Sequence, residues 1–355
     1  MDTHFNTAEA YRPGPLLEES WQKELAEALR SAEALAAEGW IPENQVPQYR
    51  RLLGTYGFLL PRYYADLMDK SDPECPIRLQ AIPSLLETDS TWGEADPLAD
   101  EKHKPAPHLT HRYPGRVLLH LTPNCSMYCR YCFRKTLINE EKQALFGGSL
   151  EAAYEYLSTQ PQVKEVIFSG GDPFMLGDRQ LLAVLERLES IETIQTVRFH
   201  TRVPVTLPSR VTKDLAAVMD ATRLSTVVVT HFNHPKEITQ KSSVACERLA
   251  AAGAWLFNQS VLLKGVNDNV TTLAALSEAL MGIRNVPYYL HHPDPAQGTR
   301  HFWLSFQQGA AIYEKLRTLL PGYLVPRYVV DDIERPYKSN VGEFLAEASQ
   351  SFWKH

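Results

Sequence analysis

After Pro114 the sequence alternates short apolar or β-branched runs with segments whose apolar residues recur at helical spacing. This alternation is the strongest constraint on the fold, because parallel strands need a crossover, usually a helix, between one strand and the next. Periodicity alone leaves a β/α barrel and a doubly wound sheet open. The six strand-like runs are RVLLHLT, VKEVIFSG, TVRFHTR, STVVVTHF, AWLFNQSVLL and VPYYLHH.

Polar side chains occur late in these six runs. The carboxyl ends of parallel strands meet at one face of an α/β barrel, and ligands bind at that face. We therefore expect the functional site to be built there. The side chains concerned are Ser169, His200, Thr201, His231, Asn258, Gln259, His291 and His292.

Three of the five cysteines, Cys125, Cys129 and Cys132, form a CxxxCxxC motif directly after the first run. Closely spaced thiolates bind iron-sulfur clusters or zinc. A structural zinc site needs a fourth ligand and usually two separate ligand pairs, whereas this chain has one cysteine group. The motif therefore favours an iron-sulfur cluster with one iron left open. Cys75 and Cys246 are isolated and indicate ordinary thiols rather than a disulfide framework.

Composition narrows the class of function. The 355 residues carry a net charge of -6 with scattered Lys and Arg, which gives no basic surface for nucleic acid. No run approaches the roughly 20 apolar residues that cross a bilayer. The first residues also lack a basic segment followed by an apolar core. We expect a cytoplasmic protein that acts on a small molecule, with no nucleic-acid or membrane partner.

The chain divides into three predicted parts. Residues 1–110 form an N-terminal helical extension, in which the spacing of apolar residues predicts one amphipathic helix from Leu16 to Ala37. Residues 111–302 form the α/β domain, and residues 303–355 form a C-terminal segment. No chemistry is apparent in residues 1–110, and a helical cap is the favoured interpretation of that part.

The run CSMYCRYCFRK, with an aromatic residue before the last cysteine, resembles the radical S-adenosylmethionine (SAM) enzymes and within them the lysine 2,3-aminomutase family. The resemblance implies a partial (β/α)6 barrel, a 4Fe-4S cluster on Cys125, Cys129 and Cys132, and SAM on the open iron. FSGGDP, THFNHP and NQSVLLKGVND also match the family in order. By this resemblance the SAM-binding residues are Ser169, Gly170, Gly171, Asp172, His231 and Gln259.

The same resemblance implies a site for pyridoxal 5'-phosphate (PLP). Asp331 stands seven residues before Lys338, the spacing of the family's PLP lysine, although IERPYK replaces the family's glycine-rich run. Lys338 would hold PLP as the catalytic lysine, together with Arg112, Tyr113 and Arg116. Arg134 would bind the substrate carboxylate, and Asp294 and Asp331 would bind the distant ammonium group of lysine.

The function implied by the resemblance is isomerisation of L-lysine to β-lysine by 1,2-amino migration through a 5'-deoxyadenosyl radical. An external one-electron reductant, such as flavodoxin or ferredoxin, would supply an electron to the cluster. A homo-oligomer is one option for the assembly of the protein. Alternatives are the branch that modifies elongation factor P, an aminomutase for another amino acid, and a PLP-independent radical SAM enzyme. A redox-sensing iron-sulfur protein would leave the strand-end motifs unexplained.

Overall fold

A computed structural model describes residues 20–138 and 149–347, and it contains one nine-stranded sheet with strands in the order of the sequence. Strands β2 to β8 are parallel, whereas β1 and β9 pair antiparallel at the two edges. The strands are β1 (Leu109–Tyr113), β2 (Arg116–Thr122), β3 (Glu165–Gly170), β4 (Thr196–Thr201), β5 (Ser225–Thr230), β6 (Trp255–Val261), β7 (Val286–His291), β8 (Arg327–Val330) and β9 (Ser339–Asn340).

The strand order identifies the fold as a barrel-type sheet. A doubly wound sheet reverses its strand order at a switch point, whereas every strand here lies beside its neighbour in sequence. In the described part of the chain β1 and β9 do not pair, so the sheet is open. The predicted α/β partial barrel is confirmed. All six predicted strands are present as β2 to β7, and β8 adds a seventh parallel strand that is only four residues long.

Helices cover the outside of the sheet and the N-terminal region. In the helix Asp178–Glu189 the buried residues Leu181, Val184, Leu185 and Leu188 follow helical spacing and form one apolar face. The helices are α1 (Trp21–Ala26), α2 (Ala32–Ala37), α3 (Val46–Tyr56), α4 (Arg62–Ala65), α5 (Pro76–Ala81), α6 (Glu151–Ser158), α7 (Asp178–Glu189), α8 (Val203–Thr206), α9 (Lys213–Asp220), α10 (Gln240–Ala251), α11 (Val270–Gly282), α12 (Phe306–Leu319) and α13 (Val341–Glu347).

The single helix predicted from Leu16 to Ala37 is wrong, although its first four residues lie outside the described residues. The described part contains two short helices, α1 and α2. Leu29, between them, forms an antiparallel bridge with Leu60, and Ser31 then caps α2 by accepting a hydrogen bond from the Ala34 N–H. A residue in extended conformation followed by a capping serine interrupts helical hydrogen bonding, so the amphipathic pattern continues across a break in the backbone.

The N-terminal helices pack directly on the barrel. One core contains Leu35 of α2 and Ile77 of α5 together with Phe168 of β3 and Phe199 of β4. The predicted boundary at 110 falls within β1, and the divisions at 110 and 302 stay predictions. No helix in residues 20–138 and 149–347 is long and apolar enough to cross a membrane.

Candidate active site

The cysteine loop, residues 123–135, follows β2 at the carboxyl end of the parallel sheet and carries Cys125, Cys129 and Cys132. Cys125 and Cys132 pack against one apolar cluster, and Cys129 packs against another. Burial, followed by the neighbouring Cys129, raises the pKa of Cys132 to about 11. Within the described ranges, three or more Cys, His, Asp or Glu side chains nowhere converge as a metal-binding group. The three cysteines therefore share a loop without forming a preassembled metal site.

A buried ion cluster fixes this loop to the N-terminal extension. Arg130 donates from Nε to the two carboxylate oxygens of Glu87 at 3.0 and 3.1 Å, and Lys135 Nζ donates to the same carboxylate at 3.0 Å. Lys135 also donates to the Gly298 carbonyl at 2.9 Å. Burial by itself raises the pKa of Glu87, but Arg130 and Lys135 outweigh burial and hold it at about 2. Glu87 is therefore an ionised, fully buried anchor for the loop.

A second arginine, which directly follows β4, contacts the motif. Arg202 Nη1 lies 2.8 Å from Cys129 Sγ, and Nη2 donates to Glu237 Oε1 at 2.6 Å and to Gln80 Oε1 at 2.7 Å. The Arg202 side chain is only 7% exposed. Two buried arginines thus hold the cysteine loop, Arg130 from within it by pairing with Glu87 and Arg202 from outside it by pairing with Glu237.

The two glycines of FSGGDP allow the β3 end to lie against the cysteine loop. Gly170 has φ +102°, which only glycine adopts readily. A Cβ on Gly171 would lie 2.4 Å from the Asn124 carbonyl oxygen. Both backbones are joined, because the Gly171 N–H donates to the Thr122 carbonyl at 2.6 Å. The predicted SAM-binding glycines therefore border the residues immediately before Cys125.

Asp172, another predicted SAM-binding residue, is occupied by protein contacts. Its carboxylate accepts from Thr201 Oγ1 at 2.7 Å, from the Arg202 N–H at 2.7 Å and from the Phe174 N–H at 3.0 Å. Burial raises the pKa of Asp172 against the lowering effect of these donors. This geometry ties the end of β3 to the end of β4.

Three half-buried histidines with buried Nε2 atoms lie at the ends of β4, β5 and β7. The Nε2 atoms of His200, His231 and His291 have no hydrogen-bond partner within the described residues. Burial lowers the pKa of each histidine, so all three are neutral near pH 7. The two remaining predicted SAM-binding residues lie on the same sheet, since Ser169 pairs in register with His120 and Gln259 with Tyr289. Unpartnered polar atoms in a buried position are available to a ligand.

The Lys338 loop, residues 331–338, lies between β8 and β9. Lys338 Nζ forms an ion pair with Asp331, whose side chain is 5% exposed. Burial alone raises the pKa of Asp331, but Lys338 and His291 outweigh burial and hold it well below its ordinary value. Tyr113 donates its hydroxyl to Asp331 Oδ1 at 3.2 Å. Arg112 Nη2 donates to the Asp332 carbonyl.

Three further predicted residues complete this region. Burial and the nearby charge of Asp331 raise the pKa of Asp294 to about 8. Arg116 lies over the Tyr113 ring, with its guanidinium carbon 4.1 Å from the ring centroid. Arg134 forms an ion pair with Asp100, a residue of the N-terminal extension. Arg134 therefore lies between the cysteine loop and the extension.

The structure thus groups the predicted residues into two neighbouring sets. Most of them lie at the carboxyl ends of the parallel strands, whereas Arg112, Tyr113 and Arg116 lie on β1 and at the start of β2. One set surrounds the cysteine loop and the glycine motif, and the other surrounds the Lys338 loop. Sequence reasoning missed the residues that hold these two sets in place. Those residues belong to the N-terminal extension, to the cysteine loop or to the segments that follow the strands. The missed residues are Tyr64, Gln80, Glu87, Asp100, Arg130, Lys135, Arg202 and Glu237.

One of these missed residues has a signal in the sequence. Ser84 and Glu87 form the S-x-x-E pattern of a capping box, and the Ser84 N–H donates to Glu87 Oε1 at 2.9 Å. The pattern indicates a helix start at this point. It does not indicate the two buried cations, because those come from the distant cysteine loop.

Comparison with known proteins gives consistent results. The model of a 4Fe-4S single cluster domain matches residues 114–242. The L-lysine 2,3-aminomutase of Fusobacterium nucleatum is 37% identical over 329 residues, which cover 92% of this chain and 77% of that protein. The L-lysine 2,3-aminomutase of Haemophilus influenzae is 36% identical over 327 residues, covering 92% of this chain and 96% of that protein.

A radical SAM methyltransferase from Sphaerobacter thermophilus aligns with 64% of this chain and 70% of its own, at 15% identity and a TM-score of 0.42. The two aminomutases carry the assignment, since each matches nearly the whole of this chain. The resemblance expected from CSMYCRYCFRK is confirmed. The chain belongs to the radical SAM lysine 2,3-aminomutase family.

Proposed function

We propose that this radical SAM isomerase is a PLP-dependent L-lysine 2,3-aminomutase that converts L-lysine to β-lysine. The observation that carries the proposal is the buried Asp331 carboxylate, which holds Lys338 beside Asp294 and Arg112 at the carboxyl end of the sheet. In the net reaction the amino group moves from the α-carbon to the β-carbon, and one hydrogen moves the opposite way. Product and substrate are therefore isomers.

The residues near the cysteine loop fit a cluster and SAM. Three thiol donors lie on one loop. Gly170 and Gly171 have no side chains, which leaves their backbone groups available to a ligand beside those cysteines. When bound, the cluster and SAM supply a 5'-deoxyadenosyl radical. We assign Cys125, Cys129 and Cys132 as the cluster ligands, with an external flavodoxin or ferredoxin as the electron donor.

The SAM-binding assignment covers both backbone and side-chain positions. Asp172 acts indirectly, because its carboxylate oxygens are used to join the ends of β3 and β4. His231 has a buried, unpartnered Nε2 within the described residues and is the best placed of the predicted side chains to contact SAM directly. The full proposed set is Ser169, Gly170, Gly171, Asp172, His231 and Gln259.

The Lys338 loop fits an anionic cofactor with an aldehyde group. Lys338 supplies the amine, and Arg112 and Arg116 supply positive charge near it, with Arg112 Nε buried and unpartnered in the described part of the chain. Tyr113 is fixed between the Arg116 guanidinium and the Asp331 carboxylate. When bound, PLP supplies a conjugated system that stabilises an unpaired electron next to the migrating nitrogen.

Specificity for lysine follows from the charges in this region. Asp331 already binds one ammonium group, that of Lys338, so its geometry suits a primary amine. A second carboxylate, Asp294, would share the ε-ammonium of the substrate, and charge-assisted hydrogen bonds in a buried site discriminate strongly. Arg134 would bind the substrate carboxylate by exchanging part of its contact with Asp100.

Product analysis tests the proposal. Anaerobically reconstituted protein, given SAM, a reductant and L-lysine, should form β-lysine, whereas ornithine or glutamate should be left unchanged. Isomerisation of another amino acid in place of lysine would overturn the assignment of Asp294 and Asp331. Lys338 is tested separately by borohydride reduction with PLP and mass spectrometry, which should place the cofactor's mass on the Lys338 peptide.

The matched control for Lys338 is Lys264, a lysine near the carboxyl end of β6 whose backbone N–H bonds the Phe302 carbonyl. Lys338→Ala should abolish the covalent PLP adduct, whereas Lys264→Ala should leave it intact. An adduct that survives in the Lys338→Ala protein would contradict the PLP assignment without affecting the radical SAM assignment.

A further inference from the structure

Arg202 contacts the CxxxCxxC motif directly, although it lies far from it in the sequence, directly after β4. Its Nη1 atom is 2.8 Å from Cys129 Sγ, and its guanidinium carbon lies 5.2 Å from the centroid of the Tyr131 ring. Tyr131 immediately precedes Cys132. The guanidinium thus touches the middle cysteine of the motif and the aromatic residue next to the third.

The rest of the network holds the Arg202 guanidinium in this position. Nη2 donates to Glu237 at 2.6 Å, to Gln80 at 2.7 Å and to the Tyr64 hydroxyl at 3.1 Å. The Arg202 backbone N–H is bound by Asp172 at 2.7 Å. These partners come from two helices of the extension and from two strand ends. Rotating the side chain away from Cys129 would break several buried hydrogen bonds, each of which is costly.

Glu237 is itself fixed and cannot follow a displaced arginine. It is fully buried, and its second oxygen accepts from the Asn233 N–H at 2.6 Å and from the His234 N–H at 3.0 Å. Its first oxygen accepts from Tyr64 at 2.7 Å as well as from Arg202. The Glu237 carboxylate thus accepts hydrogen bonds from three donors besides Arg202. It therefore neutralises only part of the positive charge that Arg202 places beside Cys129.

A positive donor beside a ligating sulfur changes the redox properties of an iron-sulfur cluster. Reduction adds one negative charge to the cluster, and hydrogen bonds to the sulfurs together with nearby charge stabilise that reduced state. The effect is large in a buried site, where charges are poorly screened. Arg202 meets both conditions, since it carries the charge and donates to the sulfur.

We propose that Arg202 is a positioning residue for the cluster, which orients the Cys129 thiolate and raises the reduction potential of the bound cluster. The inference rests on the proposed ligation by Cys125, Cys129 and Cys132. It explains why an arginine occupies the end of β4 with four buried partners. It also gives the N-terminal extension a role in radical formation, because Tyr64 and Gln80 hold the guanidinium in place.

The test is an EPR-monitored redox titration of anaerobically reconstituted protein without SAM. Arg202→Gln should lower the cluster potential by more than 59 mV, which is a tenfold loss in the equilibrium constant of one-electron reduction. Arg202→Lys keeps the charge and should show a smaller decrease. Arg198→Gln is the matched control, because Arg198 lies on β4, the strand that directly precedes Arg202, and pairs with Glu165 at 2.6 Å. The cluster potential of this variant should equal that of the wild type.

Three results would overturn the inference. One is an unchanged potential in Arg202→Gln protein that retains its iron and its circular dichroism spectrum. A second is an unchanged potential with weakened SAM binding, which would assign Arg202 to SAM instead. If Arg202→Gln loses its cluster, the Arg202→Lys protein is measured instead. The third overturning result is a cluster potential in Arg202→Lys equal to that of the wild type. A wild-type protein that takes up no cluster would instead contradict the proposed function itself.

Discussion

The two halves of the candidate site are held together in different ways. Around the cysteine loop, Arg130, Lys135 and Arg202 form fully buried ion pairs with Glu87 and Glu237. Each of these five side chains is at most 7% exposed. Their partners come from distant parts of the sequence. Such a network fixes the loop before any ligand binds.

Around the Lys338 loop, the central contact joins residues only seven positions apart, and Lys338 is 23% exposed. Ile333 and Tyr337 of the same loop are 40% and 51% exposed. Two carboxylates, Asp331 and Asp294, share this region, and the pKa values of both depart from ordinary ones in opposite directions. The two carboxyl groups of this half therefore repel each other electrostatically.

The comparison teaches that the two halves are built for different events. In the cysteine half each buried cation is paired with a carboxylate of the protein, as expected for a site that must hold a reactive centre rigidly. In the Lys338 half, Asp294 lies near a second carboxylate, Asp331, and a cationic substrate would stabilise the ionised form of both. Breaking the first half should therefore cost folding stability, whereas altering the second should change binding and its pH dependence.

The largest expected effect is from Glu87→Gln. The variant leaves Arg130 and Lys135 buried without their anion, and breaking a buried ion pair in this way costs about 3–5 kcal/mol. Urea unfolding monitored by circular dichroism measures the change, and iron content should fall with it. Glu151→Gln is the control, because Glu151 pairs with Arg187 at 53% and 44% exposure and should contribute less than about 1 kcal/mol.

The same carboxylate predicts a dependence of stability on pH. The pKa of Glu87 is lowered from 4.5 to about 2, so its contribution is complete above pH 4.5 and is lost as the pH falls toward 2. Wild-type stability should decrease over that window by more than the Glu87→Gln protein's does. Equal slopes for the two proteins would contradict the role of Glu87 as an ionised anchor.

A smaller effect is expected from Gly171→Ala. The added Cβ would lie 2.4 Å from the Asn124 carbonyl oxygen, so backbone must move, at a cost of about 1–3 kcal/mol. SAM binding, measured by equilibrium dialysis, should weaken as well. The counterpart in the other half is Gly342 in α13, where an added Cβ meets nothing within 4 Å.

Gly342→Ala should raise stability by about 0.5–1 kcal/mol, because alanine is the better helix former. Opposite signs for the two glycine variants would support a tightly packed cysteine half and a more open Lys338 half. A destabilised Gly342→Ala protein would remove that distinction.

The next prediction concerns pH and the Lys338 half. Asp294 must be ionised to bind an ammonium group, and its pKa is raised to about 8, first by burial and then by Asp331, while Lys338 and Arg112 lower it and Asp100 raises it. The KM for lysine should therefore fall about tenfold between pH 7 and pH 9, since the substrate ammonium keeps its proton until about pH 10. Steady-state assays across this range measure it.

Asp294→Asn is the test variant for this pH dependence. It should raise the KM and remove most of the slope, because the amide does not titrate. An unchanged slope in the variant would assign the titration to another group. The calorimetric signal of proton release on lysine binding, compared in two buffers, provides a readout independent of turnover.

The smallest expected difference comes from two tyrosines. Tyr64→Phe removes a hydroxyl that donates to Glu237 at 2.7 Å and accepts from Arg202 at 3.1 Å. Tyr113→Phe removes one longer bond, 3.2 Å to Asp331. Because bonds to charged partners contribute about 1.5–3 kcal/mol each at most, Tyr64→Phe should be the more destabilising by about 1 kcal/mol. Thermal unfolding of the two variants measures the difference. Equal destabilisation by Tyr64→Phe and Tyr113→Phe would contradict the prediction.

Much of the fold could be predicted because it is written in local patterns. The run STVVVTHF of β5 is rich in β-branched residues, which favour strands. The seventh parallel strand escaped prediction because RYVV is only four residues long and begins with an exposed arginine. The break between α1 and α2 was missed because it depends on the bridge between Leu29 and Leu60, which amphipathic spacing does not reveal.

The motif residues of the site were accessible to sequence reasoning, and their supports were not. Cys125 and Gly171 stand in short motifs whose chemistry is local. Glu87, Gln80 and Arg202 contribute through contacts across 43, 122 and 73 residues of sequence, and no local pattern encodes such partners. Residues 1–110 were interpreted as a cap for this reason, whereas Tyr64, Gln80, Glu87 and Asp100 reach the site from them.

The open edge of the sheet has a consequence for how the protein is made. Arg112 and Tyr113 of β1 contact the Lys338 loop through side chains, although β1 pairs with β2 and not with β8 or β9. Arg112 and Tyr113 therefore cannot make these contacts until the last part of the chain has left the ribosome. At about 5–20 residues per second, the cysteine loop precedes Lys338 by tens of seconds. The cysteine loop is therefore complete before the Lys338 loop is synthesised.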